Sequence, residues 1–145
     1  MGIRRARIND GQVIKRLLDQ LDYQQNTAFI EDKMKLFIES NDAELLVYEK
    51  DGAAQAFISI HYIPQIAIEG DFARISYFAV DSTFRSHGIG KEILDYSIRL
   101  AQQRGCDRVE VHSHSRRTGA HKFYQREGFV ESPKYFIKML TEGED

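Results

Sequence analysis

The sequence has little of several things: one cysteine, two prolines, and no excess of basic charge in 145 residues. Cys106 alone cannot close an internal disulfide, which fits a reducing compartment, the cytoplasm. Lysine plus arginine number 20 against 22 acids, a net charge of −2, whereas a dedicated nucleic-acid binder carries a basic surplus. No apolar run approaches the ~18 residues of a membrane-spanning helix. The start, Met1-Gly2-Ile3-Arg4-Arg5-Ala6-Arg7, is basic but runs into Asn9-Asp10-Gly11-Gln12 instead of an apolar stretch, so it does not read as a secretory leader. Ala6 stands where a myristoylation site wants Ser or Thr. There are no repeats, low-complexity tracts or linkers. What remains, 42% apolar and 29% charged residues, is the make-up of an ordinary globular protein and excludes wholesale disorder. At about 100–200 residues per domain, 1–145 is expected to be a single domain.

Residues 3–8 read as a short strand, and Asn9-Asp10-Gly11 supplies helix-start chemistry. Val13, Ile14, Leu17, Leu18 and Leu21 recur at helical spacing, as do Phe29, Ile30, Met34, Phe37 and Ile38 over 27–39, with Thr27 as a cap. Strands at 44–49 and 53–62 joined by Asp51-Gly52 make a hairpin. Residues 72–80 form the next strand, apolar near its end as a central strand is. Gly88 opens the longest helix and Gly105 stops it; a strand over 106–114, a helix over 119–127 and one or two closing strands over 129–140 follow. This order predicts an α/β (α+β) fold: a mixed sheet of six to seven strands flanked by about four helices on both faces. The strand–helix–strand unit from 72 to 114 is expected to be parallel and right-handed.

Arg85-Ser86-His87-Gly88-Ile89-Gly90-Lys91 lies between an apolar strand and a long helix. Its glycines permit close backbone approach, the amides at the helix start favour an anion, and Arg85 and Lys91 add positive charge. A phosphate or pyrophosphate is the natural guest. A Walker loop ending at Gly90-Lys91 needs glycine at 85 and Ser or Thr at 92, where Arg85 and Glu92 stand. A dinucleotide fingerprint starting at Gly88 needs a third glycine at 93, where Ile93 stands.

Arg85-x-x-Gly88-x-Gly90 after Tyr77-Phe78-Ala79-Val80 resembles the acyl-CoA loop of the GNAT acetyltransferase superfamily. Ala120-His121-Lys122-Phe123-Tyr124-Gln125-Arg126-Glu127-Gly128-Phe129 resembles its A-x-x-F-Y-x-x-x-G-F segment. The resemblance is loose over 1–45 and tight over 72–130. It implies the GNAT-type fold and acetyl-CoA as co-substrate. It further implies that the backbone of Phe78, Ala79 and Val80 pairs with the pantetheine arm, and that Arg85, Ser86, His87, Gly88, Ile89, Gly90 and Lys91 cradle the pyrophosphate. Arg117 stands near the 3′-phosphate in this scheme. The thioester would lie where the strand at 72–80 parts from the following one, with an amide near Phe78 or Ala79 meeting the oxyanion.

Acetyl transfer to an amine poses two proton problems: the amine must attack neutral, and the departing thiolate must be protonated. By the resemblance Tyr124 is the acid. Many relatives carry a glutamate three residues before the position of Val80; here that position is Tyr77, which makes Tyr77 a candidate in its place. Glu69 and Asp71 lie roughly 20 Å or more along the chain from Phe78 at about 3.3 Å per residue, too far unless the strand bulges. His61, near the end of the adjacent strand, titrates near neutrality and is the candidate base, with a water relay or an already neutral amine as alternatives. His112, His114, His121 and His61 have no spacing diagnostic of a metal, so none is expected. Cys106 is expected to be a small core residue.

Ser59-Ile60-His61-Tyr62 and the segment 120–129 are similar to the aminoalkylphosphonate N-acetyltransferases. That subgroup carries further histidines after the first and an acid on its fourth strand; the matching stretch here, Pro64 to Tyr77, has no histidine, and its acids, Glu69 and Asp71, come before the strand at 72–80. The expected activity is therefore acetylation of a small-molecule amine, without a nucleic-acid or membrane partner. Acetylation of a protein N-terminus or lysine, and a non-catalytic acyl-CoA-binding regulatory module, are the alternatives. Closing strands in this family often pair subunits, so the resemblance allows a homodimer.

Overall fold

Asp51 and Gly52 both take positive φ, 55° and 77°, the backbone of a tight turn whose twist matches that of paired strands. The turn joins β2 (Ala43–Lys50) to β3 (Ala53–Ile63), which run antiparallel from Ala43↔His61 to Lys50↔Ala53. Two strands extend the hairpin antiparallel: β1 (Gly2–Arg5) on β2 and β4 (Phe72–Val80) on β3. Last comes β5 (Val109–Val111), parallel to β4, giving the sheet order β1-β2-β3-β4-β5. The computed structural model describes residues 2–85, 87–112, 118–132 and 135–141. Two compact units divide the chain, Met1–His112 and Ser113–Asp145.

In the first unit, α1 (Gly11–Asp19) and α2 (Thr27–Glu39) cover one face of the sheet. Ile14, Leu17, Ile30 and Met34 meet Leu45, Val47, Phe57 and Ala79 there. Strand side chains alternate, so Leu46, Ile58 and Ile60, each at most 1% exposed, face the other way. Ile93, Leu94, Ser97 and Ala101 of α3 (Ile89–Gln103) form the buried stripe on that side. Each such aliphatic side chain contributes about 1.5–3 kcal/mol on burial. The mixed sheet with helices on both faces is as expected.

The details differ in several places. The first strand ends at Arg5, and Ile8–Asp10 is a short 3-10 turn leading into α1, so the strand expected over 3–8 is shorter. The cap of α2 is Asn26, not Thr27: its side chain accepts the Phe29 amide at 2.8 Å. β5 is shorter than 106–114, because Cys106 N–H still bonds the Ala101 carbonyl and Asp107 N–H the Asp71 carbonyl before the ladder begins. In the second unit, α4 (Thr118–Arg126) closes with the Phe129 amide on the Tyr124 carbonyl at 2.9 Å. The closing strands expected over 129–140 form no ladder among the described residues, since no described segment supplies the backbone partners a strand needs. The described sheet thus has five strands, fewer than six to seven. Pro133 and Lys134 lie outside the described residues. No described helix is long and apolar enough to cross a membrane.

Asp81 anchors the exit of β4. It is 2% exposed, accepts the Thr83 amide at 3.0 Å and is ion-paired with Arg16 of α1. Ser82 N–H reaches Gln20 Oε1 at 2.9 Å. Burial pushes the Asp81 carboxyl up, but the Thr83 amide, Arg16 and Gln20 outweigh it and hold the group below the usual carboxylate range. A depressed carboxyl stabilises above its unfolded pKa of about 3.9 and loses that contribution as pH falls through its folded value. Asp81→Ala is expected to lower unfolding stability by about 1–3 kcal/mol at pH 7 in urea titrations. The difference from the parent should narrow in acid, and Asp81→Asn, which still caps, should lose less. Equal stability of Asp81→Ala and parent at pH 7 would refute the anchor.

Candidate active site

The pairing of β3 with β4 slips once: Ser59 faces Tyr77, but Ile60 faces Ile75. Ser76 is the extra residue, a β-bulge that turns two successive side chains onto one face. Ser76 and Tyr77 therefore both stand on the side covered by α1 and α2, alongside Ser59 and His61. The Tyr77 amide donates to Ser59 Oγ at 3.0 Å, Ser59 Oγ and Ser76 Oγ are 2.6 Å apart, and Ser76 Oγ is 3.0 Å from His61 Nε2. Each hydroxyl has one proton to give. With Ser59 accepting from the amide, every proton finds a near acceptor when Ser59 donates to Ser76 and Ser76 to Nε2. The other acceptor open to Ser76, the Ser59 carbonyl, is at 3.4 Å. This arrangement places the ring hydrogen of His61 on Nδ1.

Burial lowers the His61 pKa, and Arg74, its cross-strand neighbour, lowers it further. The imidazole is consequently neutral at pH 7 and its Nε2 lone pair faces a hydroxyl. The Phe37 ring lies 5.1 Å from it. Arg74 itself is paired with Glu110 of β5 at 2.9 Å. Tyr77 is edge-on to Tyr23 at 5.2 Å; burial, and then Tyr23, raise its phenol above the ordinary value. A phenol so raised stays protonated near pH 7.

Among the described residues β4 and β5 pair across Ala73–Ile75 and Val109–Val111, whereas β4 continues through Phe78, Ala79 and Val80. Beyond its exit, Arg85 and His87 are exposed, with the His87 ring 6.1 Å from Phe84. Gly88 has φ 80° and no side chain caps α3, so Ile89, Gly90 and Lys91 begin the helix at an end that favours anions. A side chain at Gly88 would be strained by that φ. Lys91 pairs with Asp95 at 3.3 Å. In the second unit Tyr124 is half-buried, its ring 5.5 Å from both Phe123 and Phe129. Ser86, His114 and Arg117 lie outside the described residues.

Asp71 is committed to Arg104 at 3.2 Å. Cys106 is half-buried, short of the core, with its thiol pushed up by burial. A cleft of about 400 Å³ opens beside Arg4, Asp10, Arg16 and Glu49, but neither His61 nor Ser76 lines it. Its cations are spent within the fold, Arg4 on Asp10 and Glu49, Arg16 on Asp81. Sequence reading missed Ser76, Tyr23 and Arg74. A bulge leaves no mark in the run Phe72 to Val80, and the Tyr23 contact crosses between elements.

A mixed sheet whose last parallel pairing stops short of a glycine-capped helix is the frame of an acyl-group transferase. The model of the acetyltransferase (GNAT) family matches residues 13–129, and the chain belongs to that family. It is 28% identical over 86% of its length to the aminoalkylphosphonate N-acetyltransferase of Salmonella typhimurium, covering 78% of that protein. It is 31% identical to N-alpha-acetyltransferase 30 of Saccharomyces cerevisiae over 48% of its own length and 40% of that protein's, so the chain spans less than half of this relative. A solved structure titled as a transcriptional regulator from Bacillus halodurans C-125 shares the fold, with a TM-score of 0.87 and 20% identity over 95% of this chain and 98% of that one.

The electrostatics of His61 can be read directly. Its ring protons, followed by NMR against pH, are expected to titrate below the ordinary value of about 6.5. Arg74→Gln should raise the midpoint, because a cation that disfavours imidazolium is gone. A midpoint at or above the ordinary value in the parent, or one unmoved by Arg74→Gln, would contradict the geometry.

Proposed function

We propose that residues 1–145 act as one N-acetyltransferase domain that moves an acetyl group from acetyl-CoA to the primary amine of a small molecule. The observation that carries this reading is the hydrogen-bonded group formed by His61 and Ser59 of β3 with Ser76 on the bulge of β4, one residue past the end of the described β4–β5 ladder. The amine nitrogen attacks the thioester carbonyl carbon, and its surplus proton passes to Ser76 as the Ser76 proton passes to His61 Nε2. An unassisted amine with a reference pKa of about 10 is mostly protonated at pH 7, so a neutral imidazole is the useful base. The backbone amide at Phe78, on the edge of β4 away from β3, meets the oxyanion. As the C–S bond breaks, Tyr124 protonates the CoA sulfur. Tyr77 shapes the acceptor side and takes no proton.

Arg85, Ser86, His87, Gly88, Ile89, Gly90 and Lys91 hold the pyrophosphate, Phe78, Ala79 and Val80 the arm, and Arg117 the 3′-phosphate. The uncapped start of α3 supports this assignment. The Saccharomyces relative's name supports a second reading, acetylation of a protein N-terminus. Turnover on peptides alone would select it.

Tyr124→Phe is expected to lower turnover about 10²–10⁴-fold, the range for a general acid, with acetyl-CoA binding little changed. The loss should shrink with a thioester of a more acidic thiol. Parent-like turnover, measured where chemistry limits the rate, would reduce Tyr124 to packing. Gly90→Asp sets a carboxylate where an anion approaches, and should weaken CoA binding about tenfold or more by calorimetry with melting unchanged. Unchanged affinity would remove the loop from the site. In thermal-shift measurements acetyl-CoA should stabilise the chain where ATP and NAD do not; stabilisation by ATP without CoA would overturn the reading.

A further inference from the structure

We propose that the acceptor is an arylalkylamine: a primary amine on a short chain that ends in a flat ring and bears no phosphonate, phosphate or carboxylate. The proposal rests on the acetyltransferase reading and names the acceptor class for the same site. On the face covered by α1 and α2, two ring pairs flank two hydroxyls. On one side Tyr23 meets Tyr77 at 5.2 Å and 78°. On the other, Phe37 meets His61 at 5.1 Å and 57°. Ser59 and Ser76 lie between them, Ser59 bonded to the Tyr77 amide and Ser76 to His61 Nε2. The surface is thus polar where a nitrogen must lose its proton and aromatic to either side.

Exposure argues in the same direction. Tyr23 and Tyr77 are 42% and 41% exposed, although a phenol's ring gains by being covered. Their edge-on arrangement leaves ring faces and edges for a third ring, which aromatic groups meet at centroid distances of about 4.5–7 Å.

Charge sets the rest of the acceptor. Among the described residues, Arg74 is the one ion that bears on His61, and it is held by Glu110 at 2.9 Å and lies over the Phe72 ring at 5.5 Å. The cation beside His61 is thus already engaged by a carboxylate and offers an anionic tail little. An acceptor recognised by its ring suits such a surface.

The test uses the full chain and acetyl-CoA, with thiol release measured for phenethylamine, 2-aminoethylphosphonate, spermidine and a peptide with a free N-terminus. The expected result is a kcat/KM for phenethylamine at least tenfold above each of the others. Tyr77→Ala should raise the KM for phenethylamine about tenfold with kcat little changed, and Tyr77→Phe should restore it. Tyr23→Ala, outside the sheet, should act in the same direction if Tyr77→Ala proves unstable. Preferred turnover of the phosphonate, spermidine or the peptide would overturn the acceptor class while leaving the acetyltransferase intact. Absence of thiol release with every amine would overturn the transferase reading. Calorimetry with CoA present would then judge the acceptor class alone: saturable phenethylamine binding lost in Tyr77→Ala sustains it, and no binding refutes it.

Discussion

A single extra residue in one strand decides which side chains meet on the α1/α2 face of the sheet. Without the bulge at Ser76, Tyr77 and Ala79 would share a face with Ala73 and Ile75, buried under α3. The slip instead carries Tyr77 and Ala79 to the α1/α2 side, places Ser76 against His61, and lets Ser59 take the Tyr77 amide. Because strand side chains alternate strictly, this exchange of faces needs a change of register; rotamers cannot achieve it. The backbone irregularity and the polar group are one feature: the unpaired geometry of the bulge is what Ser59 satisfies.

The surroundings keep that polar group neutral. The cation beside it, Arg74, is spent on Glu110. What remains beside His61 is hydroxyl and ring. Burial and Arg74 disfavour imidazolium, which is the state the proposed base needs to avoid. A fold of this family that lacks the usual carboxylate at position 77 thus has another group within two strands that can take a proton.

Much of the frame was readable before any coordinates. Periodicity gave the helices over Gly11–Asp19, Thr27–Glu39 and Ile89–Gln103, and Asp51-Gly52 gave the hairpin. These signals are local: spacing, turn chemistry and a glycine at positive φ each act within a few residues. His61 and Tyr77 could be named singly, but their link could not, because it runs through Ser59 and Ser76 across a register shift. The Asn26 cap was missed for a smaller reason, since Asn26 and Thr27 are both good caps and sequence alone does not say which begins the helix. Alternating residues after 129 resemble a strand by composition, yet a strand exists only by pairing, and pairing is not local.

Arg104, at the end of α3, donates to Asp71 at 3.2 Å, to Asp42 at 2.7 Å and to the Asn41 carbonyl at 2.7 Å, and lies over the Tyr62 ring at 4.3 Å. Edge and face of the guanidinium are both occupied, a duty a lysine's point charge cannot assume. In mechanical terms β4 is a beam clamped at its entry and supported along one edge by β3 for its whole length. Among the described residues its other edge is braced beside that clamp, at Ala73–Ile75, so the load there is shared by two neighbours and toward Val80 is carried by β3.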